Sequence, residues 1–120
     1  MPEPLLPLLQ SADDLAQLQK SVQEDGLKGF FVLKHSHRCV ISWGAHERIE
    51  EGKNKLLYPV FELNVIEQRE LSQHIAQESG HRHESPQLLF YTHNGWGGAV
   101  SHGQVDVPHA MELSKAAHQN

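Results

Sequence analysis

Two short apolar segments separated by a helical one constrain the fold of this chain most strongly. Residues 30–34 are nearly all apolar, which is typical of a central strand covered on both faces. Ile41, Ala45 and Ile49 then recur at helical spacing, which predicts that they share one face of a helix. Residues 58–65 form the second apolar segment, so the span suits a right-handed βαβ crossover with two parallel strands.

The rest of the chain completes an α-βαβ-α-ββ-α order. Pro59 near the start of the second strand predicts an edge position. The dipeptide Asn94-Gly95 predicts a two-residue hairpin turn. We therefore predict one α/β domain over residues 1–120, a four-stranded mixed sheet flanked by helices. The other predicted elements are an extended lead-in at 1–10, helices at about 13–24, 71–80 and 107–117, and hairpin strands at 87–93 and 96–101.

Composition excludes several functional classes. The 120 residues carry a formal net charge of −5, which argues against a general nucleic-acid binder, since phosphate neutralisation needs a basic face. No apolar run approaches the roughly 20 residues of a membrane span, and the start of the chain does not have the pattern of a signal peptide. The single cysteine cannot form an internal disulfide, which fits a reducing compartment, and we expect the cytoplasm.

The single cysteine, Cys39, lies where the first strand gives way to the helix. Amide hydrogens at a helix N-terminus carry partial positive charge and favour an anionic thiolate. His35, His37 and Arg38 could add positive charge nearby. An unpaired cysteine is often simply a small buried hydrophobe, but the polar neighbours of Cys39 favour a reactive thiol.

Cys39-Val40-Ile41-Ser42 has the spacing of a CxxC redox motif, with serine in the place of the second cysteine. A hydroxyl cannot form a disulfide, so Ser42 cannot release a group bound to Cys39. Such a site would accept a group on Cys39 and wait for an outside thiol to remove it. Ser42 could instead be an ordinary first-turn serine of the helix.

The dipeptide Ser85-Pro86 follows a helix and precedes the hairpin. A trans proline in a turn would be the commoner state of such a bond. In the predicted order, however, this loop can reach the same end of the sheet as Cys39. A cis bond would turn the Ser85 backbone toward the thiol, where it could pair with an extended substrate.

Several short strings together resemble the monothiol bacilliredoxin family, which are thioredoxin-fold proteins linked to the bacillithiol redox system. The resemblance covers roughly residues 11–117, and the combination of a CxIS string with an HESPQ string makes it fairly specific. The strings are Lys34-His35-Ser36, Cys39 with Ile41-Ser42, His83-Glu84-Ser85-Pro86-Gln87, Asn94-Gly95 and Ser101-His102.

The resemblance implies a thioredoxin-like fold, a nucleophilic Cys39 and a cis bond before Pro86. It also implies removal of a low-molecular-weight thiol, typically bacillithiol, from S-thiolated client proteins. That thiol acts as a co-substrate, no cofactor is tightly bound, and a second small thiol or a reductase regenerates Cys39. We expect His35, Arg38, Val40 and Ser42 to stabilise the thiolate, and His37, Ser85 and Pro86 to bind the substrate.

The sequence departs from the family pattern around the cysteine. Val40 stands where proline is usual, and it restores an amide hydrogen that could donate near the sulfur. His37 and Arg38 replace small residues, and they could favour an anionic thiol partner. The departures leave the identity of the natural thiol open.

Two other interpretations of the sequence stay open at this point. His37 and Cys39, with His81 and His83 from the second loop, could form a zinc site, although their spacings do not match familiar zinc motifs. The chain could also be a thioredoxin-like module that recognises partners, or senses thiols, without turnover.

Overall fold

The computed structural model describes residues 6–118 as four helices around a four-stranded sheet, with two short 3₁₀ turns at Lys53–Lys55 and His102–Gln104. The helices are α1 (Ala12–Gln23), α2 (Val40–Gly52), α3 (Arg69–Ser79) and α4 (Val107–His118). The strands are β1 (Gly29–His35), β2 (Val60–Asn64), β3 (Gln87–Thr92) and β4 (Gly95–Ser101). The order of elements is the predicted one. None of the described helices is long and apolar enough to cross a membrane.

The sheet has the strand order β2-β1-β3-β4, with β1 and β2 parallel and the other neighbouring pairs antiparallel. The predicted βαβ unit and hairpin are thus both confirmed. The hairpin turn differs by one residue, because Thr92 pairs with Gly95 and leaves residues 93–94 as the loop. Gly95 has φ +95°, a backbone conformation that glycine adopts without strain.

Side chains of β1 alternate between two separate cores, and all seven of its residues are buried. Phe31 and Leu33 pack in the core beneath α2 and α4. Phe30 and Val32 pack on the opposite face, in the core beneath α1 and α3. The strand is therefore covered on both sides, as its apolar sequence predicts.

The predicted apolar face of α2 is wrong at its first position. Ile41 is 65% exposed, whereas Ser42 is buried together with Ala45, His46 and Ile49. The helix begins at Val40, and its buried face, which includes Ser42 and Ala45, packs against the sheet. Packing against the sheet, rather than hydrophobicity alone, has set its orientation.

The edge position predicted for β2 is confirmed, but residues 7–9 lie along its outer side. Glu62 donates its amide to the Pro7 carbonyl, and the Leu9 amide donates to the Glu62 carbonyl, both at 2.8 Å. The second strand is also shorter than the predicted 58–65. Residues 1–5 of the predicted lead-in lie outside the described part of the chain.

Candidate active site

The two loops that the sequence predicts to form the site lie at the same end of the strands. The parallel strands β1 and β2 end there, as the pairing of His35 with Asn64 shows. Gln87, at the start of β3, pairs with both Lys34 and Ser101 at the same end of the sheet. The loops after β1 and before β3 therefore leave the sheet at the same end, which places the Cys39 segment and the segment before β3 on that side of the molecule.

Cys39 occupies the N-cap position of α2, as predicted. Its φ and ψ of −116° and 121° are extended, and its own side chain makes no capping hydrogen bond to the helix. The Cys39 amide donates to the Ser36 carbonyl at 3.2 Å, and the Cys39 carbonyl accepts from the Trp43 amide at 3.1 Å. The thiol is free and partly exposed, so a sulfur atom stands beside the positive end of a helix dipole and within reach of solvent.

Ser42 faces inward, under the Cys39 loop. Its Oγ accepts the Ser36 amide at 2.9 Å and lies 2.8 Å from Nδ1 of His35. The side chain is fully buried. Ser42 therefore fastens the loop to the end of β1, whereas the sequence predicts a hydrogen bond near the sulfur.

The role predicted for His35 as a positive charge beside the thiolate is wrong. His35 is the last residue of β1 and is fully buried. Burial is the main cause that lowers the pKa of His35 to about 4; Glu62 opposes it, and nearby His46 and His37 add to it. The ring is therefore uncharged at neutral pH, and it cannot supply the expected charge.

The sequence does not predict the buried carboxylate that lies beneath the Cys39 loop. Glu62, in the middle of β2, is only 3% exposed. One of its oxygens accepts from Nε2 of His37 at 3.1 Å, and the other accepts from Nε2 of His46 at 2.6 Å. The available signal was a single acidic residue inside an apolar strand, which must find partners if it is buried.

The ionisation of this network follows from its hydrogen bonds. Burial alone would raise the pKa of Glu62, but hydrogen bonds from His46 and His37 lower it overall. The hydrogen bond to Glu62 raises the pKa of His46, outweighing the opposite effect of burial. Glu62 is thus an ionised carboxylate held between two histidines.

Trp43 closes the network on its outer side. Its indole N–H donates to the His37 carbonyl at 2.9 Å. Its ring centroid lies 4.4 Å from that of His35 and 5.0 Å from that of His37. The predicted substrate-binding residue His37 is therefore engaged with Glu62 and Trp43, although its side chain remains 43% exposed.

The exposed surface around Cys39 is largely apolar. Val40 is 86% exposed and Ile41 65%, and Trp43 is 42% exposed. Arg38, immediately before the cysteine, is exposed as well. Large apolar side chains that are this accessible and adjacent suggest a surface for contact with another molecule.

The peptide bond between Ser85 and Pro86 is cis, as the resemblance implies. Pro86 is buried, and its carbonyl accepts the His102 amide at 2.9 Å. The Ser85 hydroxyl is buried without a hydrogen-bond partner within residues 6–118. A neighbouring carboxylate, Glu84, is held by His102 at 2.9 Å and by Ser101 at 3.2 Å.

The zinc site considered from the sequence does not form. His81 lies 2.9 Å from the Gly97 carbonyl, and Nδ1 of His83 lies 2.9 Å from the Ser72 hydroxyl. Within the described chain, the group of potential ligands that does come together is His35, His37 and Glu62. Neither Cys39 nor the histidines of the second loop belong to it.

Comparisons with known proteins agree with this architecture. The chain is similar to a structure described as a proposed oxidoreductase with a thioredoxin fold, at 27% identity and a TM-score of 0.80, covering 92% of this chain and 94% of the other. A thioredoxin from Nicotiana alata matches at 17% identity and a TM-score of 0.70, covering 99% of this chain and 96% of that one. Arabidopsis thaliana thioredoxin O1 matches at 17% identity and a TM-score of 0.64, covering 97% of each chain. The fold is therefore the thioredoxin fold.

The model of the family described as monothiol bacilliredoxin BrxC matches residues 9–109. That range contains the Cys39 loop, the buried network beneath it and the segment of residues 83–87. Family and fold together indicate a thiol oxidoreductase. The chain belongs to the monothiol bacilliredoxin family.

Proposed function

We propose that this protein is a monothiol oxidoreductase that removes a low-molecular-weight thiol, bacillithiol or a close analogue, from mixed disulfides on client proteins. The observation that carries the proposal is the position of its one cysteine. Cys39 is free, partly exposed and placed at the N-cap position of α2, where its side chain makes no capping hydrogen bond. The thiolate is the form of a cysteine that attacks disulfides, and the partial positive charge of helix amides lies beside this residue.

The reaction proceeds by two exchanges. The Cys39 thiolate attacks the sulfur of the small thiol in the client's mixed disulfide, the client thiolate leaves, and a disulfide joins Cys39 to the small thiol. A second small thiol, as its thiolate, then attacks the small thiol on Cys39. This step regenerates the Cys39 thiolate and releases the disulfide of two small thiols, or a reductase takes the place of the second thiol.

The second exchange needs an external thiol because of what occupies the fourth position of the motif. Ser42 cannot form a disulfide, and its oxygen already bonds the Ser36 amide and His35. The disulfide on Cys39 therefore persists until another molecule arrives. Apart from the small thiol as co-substrate, this chemistry requires no bound cofactor.

The clients are proteins in this proposal, because exposed apolar side chains follow the cysteine along the chain. Val40 and Ile41 are among the most exposed apolar side chains of the described residues, and both follow Cys39 directly. A free small thiol would not use such a surface, whereas an unfolded or flexible client segment would. Ser85 and Pro86, at the same edge, complete the binding surface, and the reducing chemistry fits a cytoplasmic location.

Intact-mass spectrometry tests the first exchange. The reduced protein, incubated with a client protein S-thiolated by bacillithiol, should gain one small thiol per chain, and the Cys39→Ser variant should gain none. Addition of excess free thiol should remove the adduct. A wild-type protein that acquires no adduct would rule the proposal out.

Turnover distinguishes an enzyme from a thiol sensor that shares the same sulfur. With small thiol in excess, a sub-stoichiometric amount of protein should release many equivalents of client thiol. A sensor would be modified once and would release at most one equivalent. The Ser42→Ala variant is a useful companion, since it should weaken the Ser36 anchor of the loop without removing the nucleophile.

A further inference from the structure

We propose that His35, His37 and Glu62 form a binding site for a divalent transition-metal ion of the zinc class, beneath the Cys39 loop. Their ligand atoms all lie within 4.8 Å of one another. Two imidazoles and one carboxylate are a ligand set that suits zinc and its neighbours rather than magnesium or calcium. The site is separate from the sulfur chemistry proposed above, because Cys39 is not among the ligands.

A buried nitrogen without a partner points to a ligand at this position. His35 is fully buried, and its Nε2 has no hydrogen-bond partner within residues 6–118. Its Nδ1 is already engaged, 2.8 Å from the Ser42 hydroxyl. An orphan ring nitrogen in a closed environment is costly, and coordination of a cation by its lone pair would satisfy it.

The contacts around His35 are compatible with the tautomer that a metal ligand needs. The Ser42 oxygen can accept both the Ser36 amide and an Nδ1–H of His35, which leaves the Nε2 lone pair free. A hydrogen bond of this kind to the nitrogen that does not bind the metal is usual for ligating histidines. The ring cannot swing away, because Trp43 and His46 pack against it.

The carboxylate is held in a similar way. His46 donates to Oε1 of Glu62 at 2.6 Å, which leaves Oε2 directed at His37, 3.1 Å away. Metal-bound carboxylates are commonly oriented by such an outer hydrogen bond. A dication on Oε2 would take the place of the contact with His37 and neutralise the negative charge of Glu62.

Closing the site requires only a small movement. Ligand atoms bound tetrahedrally to zinc at about 2.0–2.1 Å lie roughly 3.4 Å apart. The three ligand atoms lie up to 4.8 Å apart in this structure, so they must move closer together. The His37 side chain is 43% exposed and can rotate to close the difference. Because His37 forms the outer wall, the fourth position faces solvent and would hold a water molecule.

Metal titrations of the full-length, untagged protein test this site. Protein stripped of metal and kept reduced is titrated with Zn²⁺ in competition with a chromogenic chelator, and with Co²⁺ while its absorption spectrum is recorded. The proposal expects one ion per chain and a tetrahedral or five-coordinate Co²⁺ spectrum without a thiolate charge-transfer band. Binding that does not saturate at one ion, or a thiolate band, would overturn it.

Matched variants assign the ligands. His37→Gln and Glu62→Gln should each weaken Zn²⁺ binding by at least about tenfold, since even outer-shell changes cost that much. Cys39→Ser should bind as wild type. His74→Gln is the control, because His74 also lies 3.1 Å from a glutamate, Glu78, but has no third ligand beside it among residues 6–118.

The variants also give results that would refute the assignment. If His37→Gln binds Zn²⁺ as tightly as wild type, the ion is held elsewhere among the histidines of the surface. Loss of binding in Cys39→Ser would transfer the site to the sulfur. Should Glu62→Gln fail to fold, as judged by circular dichroism, the partly exposed His37 position decides the question alone.

Discussion

The two faces of β1 bury a titratable side chain at the same end of the strand, but they satisfy it in opposite ways. On the face beneath α2, His35 belongs to a network with an ionised carboxylate and two further histidines. On the face beneath α3, Lys34 is fully buried and donates to the Ser72 carbonyl at 3.0 Å, with Nδ1 of His83 at 3.4 Å. Among residues 6–118, no carboxylate lies within ion-pair distance of Lys34.

On the face beneath α2 the buried charges stabilise the folded protein, because they are paired with one another. On the face beneath α3 the buried charge of Lys34 destabilises it. Burial lowers the pKa of Lys34 to about 8, which is the direction expected of an amine without a counter-ion. Glu62 shows the opposite balance, because hydrogen bonds from its histidines outweigh burial. Removing the charged group should therefore destabilise the first face and stabilise the second.

The largest effect is expected from Glu62→Leu. This substitution leaves His46 and His37 without their common acceptor, and removing one partner of a buried ion pair costs about 3–5 kcal/mol. Urea unfolding at pH 7 measures the loss. Glu62→Gln, whose amide oxygen still accepts one hydrogen bond, should lose clearly less, and a Glu62→Leu protein as stable as wild type would show that the network contributes nothing.

The opposite sign is expected for Lys34→Met. An apolar side chain of similar length removes a buried charge that has no carboxylate partner, and the desolvation cost of that charge, of the order of several kcal/mol, is removed with it. His83 keeps its contact with the Ser72 hydroxyl. Lys34→Arg is the matched control, since it retains the charge and should show no gain. A less stable Lys34→Met protein would mean that the hydrogen bond from Lys34 to the Ser72 carbonyl outweighs the cost of burying the charge.

A carboxylate near the surface provides the reference for both buried groups. Asp106 precedes α4, and its side chain accepts the His109 amide at 2.9 Å, as a helix-capping residue does. Burial would raise the pKa of Asp106, but the hydrogen bonds from the His109 backbone and ring lower it overall. At pH 7, Asp106→Ala should cost about 1 kcal/mol, less than the loss expected at Glu62.

The pH dependence of this smallest effect has a definite sign. Because the pKa of Asp106 is lower in the folded protein than its usual value of 3.8, its contribution is complete above that pH. The contribution is lost as the pH falls further, through the folded pKa. The stability difference between wild type and Asp106→Ala should therefore shrink as the pH falls from 3.8 through the lower folded pKa, and a difference as large in acid as at pH 7 would contradict the assignment.

The sequence predicted the order and pairing of the elements because these follow from local patterns. Hydrophobic periodicity, the Asn94-Gly95 pair and the length of the crossover suffice to place β1 beside β2 and the hairpin after α3. The position of Cys39 at the start of α2 follows in the same way. The turn of the hairpin was misplaced by only one residue.

The network beneath Cys39 was not predictable because its members meet only in three dimensions. His35 follows an apolar run and precedes polar residues, so it resembles the beginning of a loop, although β1 continues through it. Glu62 and His46 come from a strand and a helix whose relative rotation fixes their contact. The misjudged exposure of Ile41 has the same cause, since the helix is rotated by its contacts with the sheet.

Because the sequence has a single cysteine, every disulfide of this chain joins it to another molecule. The chain cannot form an intramolecular disulfide, and it has no second thiol for intramolecular disulfide exchange. In thiol-disulfide exchange, Cys39 is therefore either free or joined to one other thiol. A covalent pair of chains can be joined only through Cys39, so doubled mass on a non-reducing gel has a single structural explanation.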